Sequence, residues 1–221
     1  MPKPRVIKSL YQCLPVAIES CKNARMRLYK FIRLPFDVIE SVAKHYPNLQ
    51  VIHLLRDPRA MLRSQVKVGK FNWTDVPTKA QEFCSRMSQD LVISQSMHSV
   101  NDKNAKILLY ENLAENPLDT ARSMYKFINK PMYKTLERYI RNLTSVRDIT
   151  EVGTFGLLKV NSTKNAYTWR DELQFEYIQA VDRACTNVYS VLGYLTFSNE
   201  KDARDHTLPT RVIPQPQTLF I

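Results

Sequence analysis

The chain reads as an α/β domain, a parallel sheet flanked by helices. Two short apolar runs predict it, Val51 to Leu55 and Ala105 to Tyr110, separated by long stretches of helical periodicity. The segment Gln50 to Ser64, QVIHLLRDPRAMLRS, adds a strand that stops at Arg56, turns at Asp57-Pro58 and runs into a helix. A length of 221 residues with 44% hydrophobic content allows one sizeable core.

Taken in order, MRLYKFIR (26–33) alternates enough for a first strand, ended by Pro35. Phe36 to His45 is a helix with Phe36, Ile39, Val42 and Ala43 on one side, and Pro47-Asn48 turns the chain into the strand 51–55. A helix starts at Pro58, and 70–77 is a loop. Thr78 to Val100 is a long helix with Phe83, Met87, Leu91 and Ser94 at helical spacing. The strand Ala105 to Tyr110 follows, then helices over Leu118 to Ile128 and Met132 to Asn142, and a mostly irregular stretch 143–170. Glu172 to Leu192 reads as one helix stopped by Gly193. The domain spans 1–198; residues 199–221, with three prolines and little periodicity, read as a flexible tail.

The 50–64 segment is also where chemistry is expected. Asp57 can cap the helix and Pro58 suits its first position, where no N–H is needed. Arg56, on the strand end, can reach over the helix N-terminus with paired donors that match a phosphate face, and the Ser64 hydroxyl can join it. The bland alternative is an ordinary strand-turn-helix in which Arg56 pairs with Asp57 or a surface carboxylate.

The net charge of +11 is one-sided. Residues 1–70 hold 14 Lys/Arg against 4 Asp/Glu, and the remainder is nearly balanced, with 18 against 17. A basic half suggests a polyanionic partner: a phosphorylated nucleotide, an acidic glycan or nucleic acid. No RNA- or DNA-reading motif accompanies the charge. The four cysteines make no zinc spacing, so no metal is expected. Cys13–Cys21, adjacent in sequence, and Cys84–Cys185 are the preferred disulfides; buried free thiols are the alternative. Sequons at Asn72, Asn142 and Asn161 are glycan acceptors on surface loops if the chain enters the secretory pathway, and chance occurrences otherwise. No signal peptide and no long apolar run is visible.

Arg-Asp-Pro-Arg, with Ser64 eight residues after Arg56, resembles the 3′-phosphate-binding motif of sulfotransferases, enzymes that use 3′-phosphoadenylyl sulfate (PAPS). The wording is most similar to the Golgi carbohydrate sulfotransferases of the N-acetylglucosamine/galactose 6-O type. KFIRLP (30–35) resembles that family's basic strand facing the sulfuryl group, and YENLAENP (110–117) its Y-E-D-L…P run. NSTKNAYTWRDEL (161–173) resembles its late W-R loop. The resemblance covers roughly residues 10 to 197, with four motifs in order.

It implies a fold like that of the P-loop nucleotide hydrolases and sulfate transfer from PAPS to a sugar hydroxyl, at the 6-O position of GlcNAc, Gal or GalNAc. It implies a carbohydrate acceptor, no nucleic acid and a Golgi location. Arg56 and Ser64 would hold the 3′-phosphate, and Arg170 would pair with the nucleotide. Lys30 and Arg33 would hold charge on the sulfuryl group or the acceptor, a basic edge strand being their alternative. Trp169 suits the core better than the nucleotide, and His53, inside its strand, reads as a packed histidine. Glu111 is an acid/base candidate or, more simply, a capping or Arg-pairing carboxylate. The family's membrane anchor and its glycine-rich 5′-phosphosulfate loop find no counterpart in residues 1–29, which contain no glycine. Half of the donor site is therefore expected to be missing, and a non-catalytic binder of adenosine 3′,5′-bisphosphate (PAP) or glycan is the first rival. A basic nucleic-acid-binding protein is the second.

Overall fold

The computed structural model describes residues 4–32, 34–101, 103–144, 161–214 and 219–221. It divides into two compact units, Met1–Leu34 and Pro35–Ile221.

The first unit is built on helix α1 (Pro4–Asn23), which carries Pro15 in its interior. The Arg27 guanidinium closes it, donating to the carbonyls of Cys21 at 2.7 Å and Lys22 at 2.8 Å. Beyond Asn23 the backbone is irregular through Ile32, so the strand expected over 26–33 does not form. The alternation that suggested it leaves Leu28 (91% exposed), Phe31 and Ile32 in solvent. A strand needs a hydrogen-bonded neighbour, and none pairs with this segment among the described residues. Cys13 and Cys21 are free and exposed, so the expected Cys13–Cys21 disulfide is not formed. Both lie on α1, where eight residues separate them by about 12 Å along the axis, beyond the reach of a disulfide.

The second unit begins with α2 (Phe36–His45). Strand β1 (Val51–Leu55), α3 (Pro58–Lys67), a 3-10 turn (Trp73–Asp75) and α4 (Val76–Val100) follow. Strand β2 (Ala105–Leu109) leads into α5 (Tyr110–Glu115), α6 (Pro117–Phe127) and α7 (Lys134–Thr144). After residues 145–160, which are not described, come α8 (Ser162–Tyr167), α9 (Trp169–Glu172), α10 (Phe175–Ala184), α11 (Thr186–Leu192) and α12 (Glu200–Arg204). No helix among the described residues is long and apolar enough to cross a membrane.

The two strands are parallel, with Val51 opposite Ala105 and Leu55 opposite Leu109. Parallel neighbours need a long crossover, and α3 and α4 supply it. Helix α4 is the spine of the unit. Its Val76, Ala80, Cys84, Met87 and Leu91 pack with Leu55, Ile107 and Leu109 from the sheet and with Val181, Val188 and Leu192 from α10 and α11. The stretch expected as one helix over 172–192 is broken at Cys185, which ends α10 and precedes α11. Cys185 is disulfide-bonded to Cys84 of α4, with the Cα atoms 5.1 Å apart.

His53 is a packed core histidine. Its Nδ1 lies 2.7 Å from Ser94 Oγ, and its ring is 3.9 Å from that of Phe36. Burial pulls its pKa down to about 3 from 6.5. A base with a depressed folded pKa contributes stability above its unfolded pKa and loses it as pH falls. Between pH 7.5 and 5 this group will therefore cost about 2 kcal/mol of stability. Urea melts of the wild type and His53→Gln at both pH values should show the difference between the two proteins shrinking toward pH 5 by that amount.

The described residues of 199–221, expected as a flexible tail, are packed onto the second unit. Gly193 takes a left-handed φ of 78°, and a Cβ there would meet the Val212 carbonyl oxygen at 2.5 Å. That close approach pairs Tyr194 with Arg211 in an antiparallel bridge, with Val212 N–H donating to the Gly193 carbonyl at 2.8 Å. Phe220 bridges in parallel to Ile107, the Ile221 N–H donates to the Ile107 carbonyl at 2.9 Å, and Leu219 is buried.

Candidate functional site

Because β1 and β2 run parallel in fixed register, the residues that follow them leave side by side. Leu55 pairs with Leu109, so Arg56 comes to Tyr110 and Asp57 to Glu111. Both contacts are present. The Arg56 guanidinium lies 4.3 Å from the Tyr110 ring centroid, and the Asp57 N–H donates to Glu111 Oε1 at 3.1 Å.

Asp57 caps α3, accepting from the Arg59 N–H at 2.9 Å, and Pro58 occupies the first turn. Arg59 turns inward and is fully buried. Its Nε and Nη2 bind the Asp57 carboxylate, and its Nη1 reaches Asp182 at 3.4 Å and the Leu195 carbonyl at 2.9 Å. Its face stacks 4.1 Å from Trp169, and Tyr189 donates to Asp182. Burial works to lower the Arg59 pKa; Asp57, Tyr189 and Asp182 more than offset it and hold the group above its ordinary value. The two arginines of Arg-Asp-Pro-Arg thus divide the work: Arg59 ties the core and Arg56 is turned to the strand ends.

Arg56 is only partly satisfied by protein. Its Nη2 donates to the Asn165 carbonyl at 3.0 Å, while its buried Nε has no partner among the described residues. Asn165, on α8, also donates to the Tyr110 hydroxyl at 3.0 Å. Helix α8 is seated on α5 through Ser162 and Thr163, whose hydroxyls donate to the Ala114 carbonyl. An orphaned guanidinium N–H beside an aromatic ring, at the carboxyl ends of parallel strands, is a donor set that fits an anionic oxygen.

Ser64 is half-buried on α3. Arg63 and Lys67 beside it converge on Glu172. Lys30 is exposed in the first unit, and Arg33 lies outside the described residues. Arg170, expected at the nucleotide, is committed elsewhere. Its guanidinium donates to the carbonyls of Ala203, Leu208, Asp202 and Asp205 and so fastens the segment after α12. Four of its five N–H donors are thus spent on backbone carbonyls, which makes it a fastener of the chain. Trp169 is buried in the core, as preferred from the sequence. Glu111 is fully buried, and Tyr194 donates to its Oε2 at 2.8 Å. Burial, with Asp57 beside it, raises its pKa.

Asn72 is exposed beside the 3-10 turn. Asn142 is exposed within α7, not on a loop, and Asn161 caps α8 by accepting from the Lys164 N–H. Among the described residues no cluster could hold a metal ion. Sequence reasoning missed Tyr110 and Asn165. The signal for Tyr110 was available: two parallel strands of equal length place their next residues together.

The fold and this donor set define an α/β protein with an orphaned arginine donor at its strand ends. Comparison with known proteins carries the class further. Residues 11–134 match the model described as "Sulfotransferase family". The chain belongs to the sulfotransferase family. It is 25% identical over 212 residues to carbohydrate sulfotransferase 1 of Rattus norvegicus, covering 87% of this chain and 50% of that one. It is 26% identical over 187 residues to carbohydrate sulfotransferase 5 of Mus musculus, covering 73% and 45%. Against carbohydrate sulfotransferase 3 of Mus musculus it is 30% identical over 165 residues, covering 66% and 34%. The chain spans about half the length of these relatives or less.

Proposed function

We propose that this chain forms part of a PAPS-dependent carbohydrate sulfotransferase of the Golgi lumen, acting on a 6-hydroxyl of GlcNAc, Gal or GalNAc. The observation that carries this reading is the unpartnered, buried Nε of Arg56 in a chain whose relatives are named carbohydrate sulfotransferases. Arg56, supported by the Tyr110 ring, binds the 3′-phosphate of the donor, with Ser64 as a second donor group. The donor supplies a sulfuryl group on a phosphate leaving group. An acceptor hydroxyl oxygen attacks sulfur in line, the bond from sulfur to the phosphate oxygen breaks with its electron pair left on that phosphate, and the hydroxyl proton passes to water. Arg59 and Arg170 touch no reactant; they hold the scaffold. Asn72, Asn142 and Asn161 carry glycans in the lumenal protein.

Calorimetric titration with PAP tests the assignment. The wild type should bind saturably, and Arg56→Ala should lose about 2–4 kcal/mol of binding free energy. Equal affinity in the two proteins would remove Arg56 from the site. PAP binding without sulfate transfer to sugar would instead favour a non-catalytic relative.

A further inference from the structure

We propose that Glu111, held by Tyr194, is a positioning residue for the Arg56 anion site. The proposal rests on the reading of Arg56 as the phosphate ligand, and it extends that reading to a residue that touches no ligand.

The peptide unit joining Arg56 to Asp57 contains the Asp57 N–H. That N–H is the group Glu111 Oε1 accepts, at 3.1 Å. The bond fixes the plane of this peptide, and with it the ψ of Arg56 and the direction in which its side chain leaves the strand. The other Glu111 oxygen is occupied by the Tyr194 hydroxyl at 2.8 Å. With Glu111 fully buried and both its oxygens bound, no group is left over for proton exchange with a substrate. Nor does Glu111 make the helix cap, which Asp57 supplies from its own side chain to the Arg59 N–H. Arg59 grips that same carboxylate through Nε and Nη2. The turn is thus clamped on its side-chain face by Arg59 and on its main-chain face by Glu111. Only the second clamp acts on the peptide that carries Arg56.

Burying a carboxyl group next to a second one is costly. Its first neighbour in that cost is Asp57, the residue it orders. Tyr194 is itself placed by the Gly193 turn and the bridge to Arg211, so the sheet register sets one side of the clamp and the C-terminal segment holds the other.

The test compares PAP affinity with thermal stability in the full chain. Glu111→Gln keeps an acceptor for the Asp57 N–H and an amide donor for the Tyr194 oxygen. Glu111→Ala keeps neither. Val188→Ala, a core truncation on α11, serves as the stability control. We expect Glu111→Ala to weaken PAP binding by about ten-fold or more, Glu111→Gln to bind within about two-fold of wild type, and Val188→Ala to lose stability without losing affinity. If Glu111→Ala does not fold, Tyr194→Phe carries the test, since it frees one carboxylate oxygen. It should lower affinity by about three-fold or more.

PAP binding that is lost in Arg56→Ala but unchanged in Glu111→Ala or, where that variant does not fold, in Tyr194→Phe would overturn the positioning role and leave the phosphate site standing. An affinity loss in Val188→Ala equal to that in Glu111→Ala would also overturn it, by reducing Glu111 to a stability residue. No difference between wild type and Arg56→Ala would overturn both readings together.

Discussion

Arg59→Met will destabilise the protein by about 3–5 kcal/mol, because it leaves two buried carboxylates without their cation. Asp57 and Asp182 both face Arg59, and Asp182 already has a pKa raised by burial despite the arginine beside it. Methionine fills a similar volume, so the loss is electrostatic and not a cavity effect. The pH dependence separates the two. Without the guanidinium, which holds it down, the Asp182 carboxyl will have a still higher folded pKa. An acid with a raised folded pKa contributes stability at low pH that disappears as pH rises through that pKa. The deficit of Arg59→Met relative to wild type should therefore be larger at pH 7.5 than at pH 4.5, as read from urea melts at each. A deficit independent of pH would mean that packing on Trp169 and Phe197, not charge, is what Arg59 supplies. Arg59→Lys should recover only part of the loss, since one ammonium cannot hold Asp57 in two bonds and also reach Asp182 and Leu195.

Reduction of Cys84–Cys185 is the second large effect. The two cysteines are 101 residues apart in sequence, so the crosslink closes a very long loop in the unfolded chain. Chain entropy puts its contribution at about 4–5 kcal/mol. Both residues are buried in the main core, so reduction has to go through partial opening of α4 from α10 and α11. We expect urea midpoints measured with and without a phosphine reductant to differ by that free energy, and Cys84→Ala/Cys185→Ala to match the reduced protein to within its cavity cost. A double variant as stable as the oxidised protein would show that α4 is held by packing alone.

Local signals in the sequence were strong where they coincided with chain punctuation. The helix Phe36–His45, bounded by Pro35 and Pro47, and the strand Val51–Leu55, bounded by Asn48 and Asp57-Pro58, were legible to the residue. They failed where a partner decides the outcome. The alternation of 26–33 is a pattern that a strand would use, yet a pattern cannot supply the neighbour that pairs with it. Helix α1, which contains Pro15, was not read from the sequence at all. At the site, Arg56 was visible because its position follows from the strand end and the helix start. The role of Arg170 was not, because four carbonyls from residues 202–208 converge on it only after the chain has folded. The same holds for the last residues: prolines and low periodicity say nothing about a bridge between Phe220 and Ile107.

The parallel register has a consequence for how this site can change over time. Arg56 meets Tyr110, and Asp57 meets Glu111, only because two five-residue strands start and end together. Side-chain substitutions within the strands alter packing but leave that alignment intact. Inserting or deleting one residue in β2 would shift its exit by about 3.3 Å and turn Tyr110 and Glu111 onto the opposite face, separating both pairs at once. The sheet acts as a ruler for the Arg56–Tyr110 and Asp57–Glu111 pairs, so variation in strand length should be far less tolerated here than variation in strand composition.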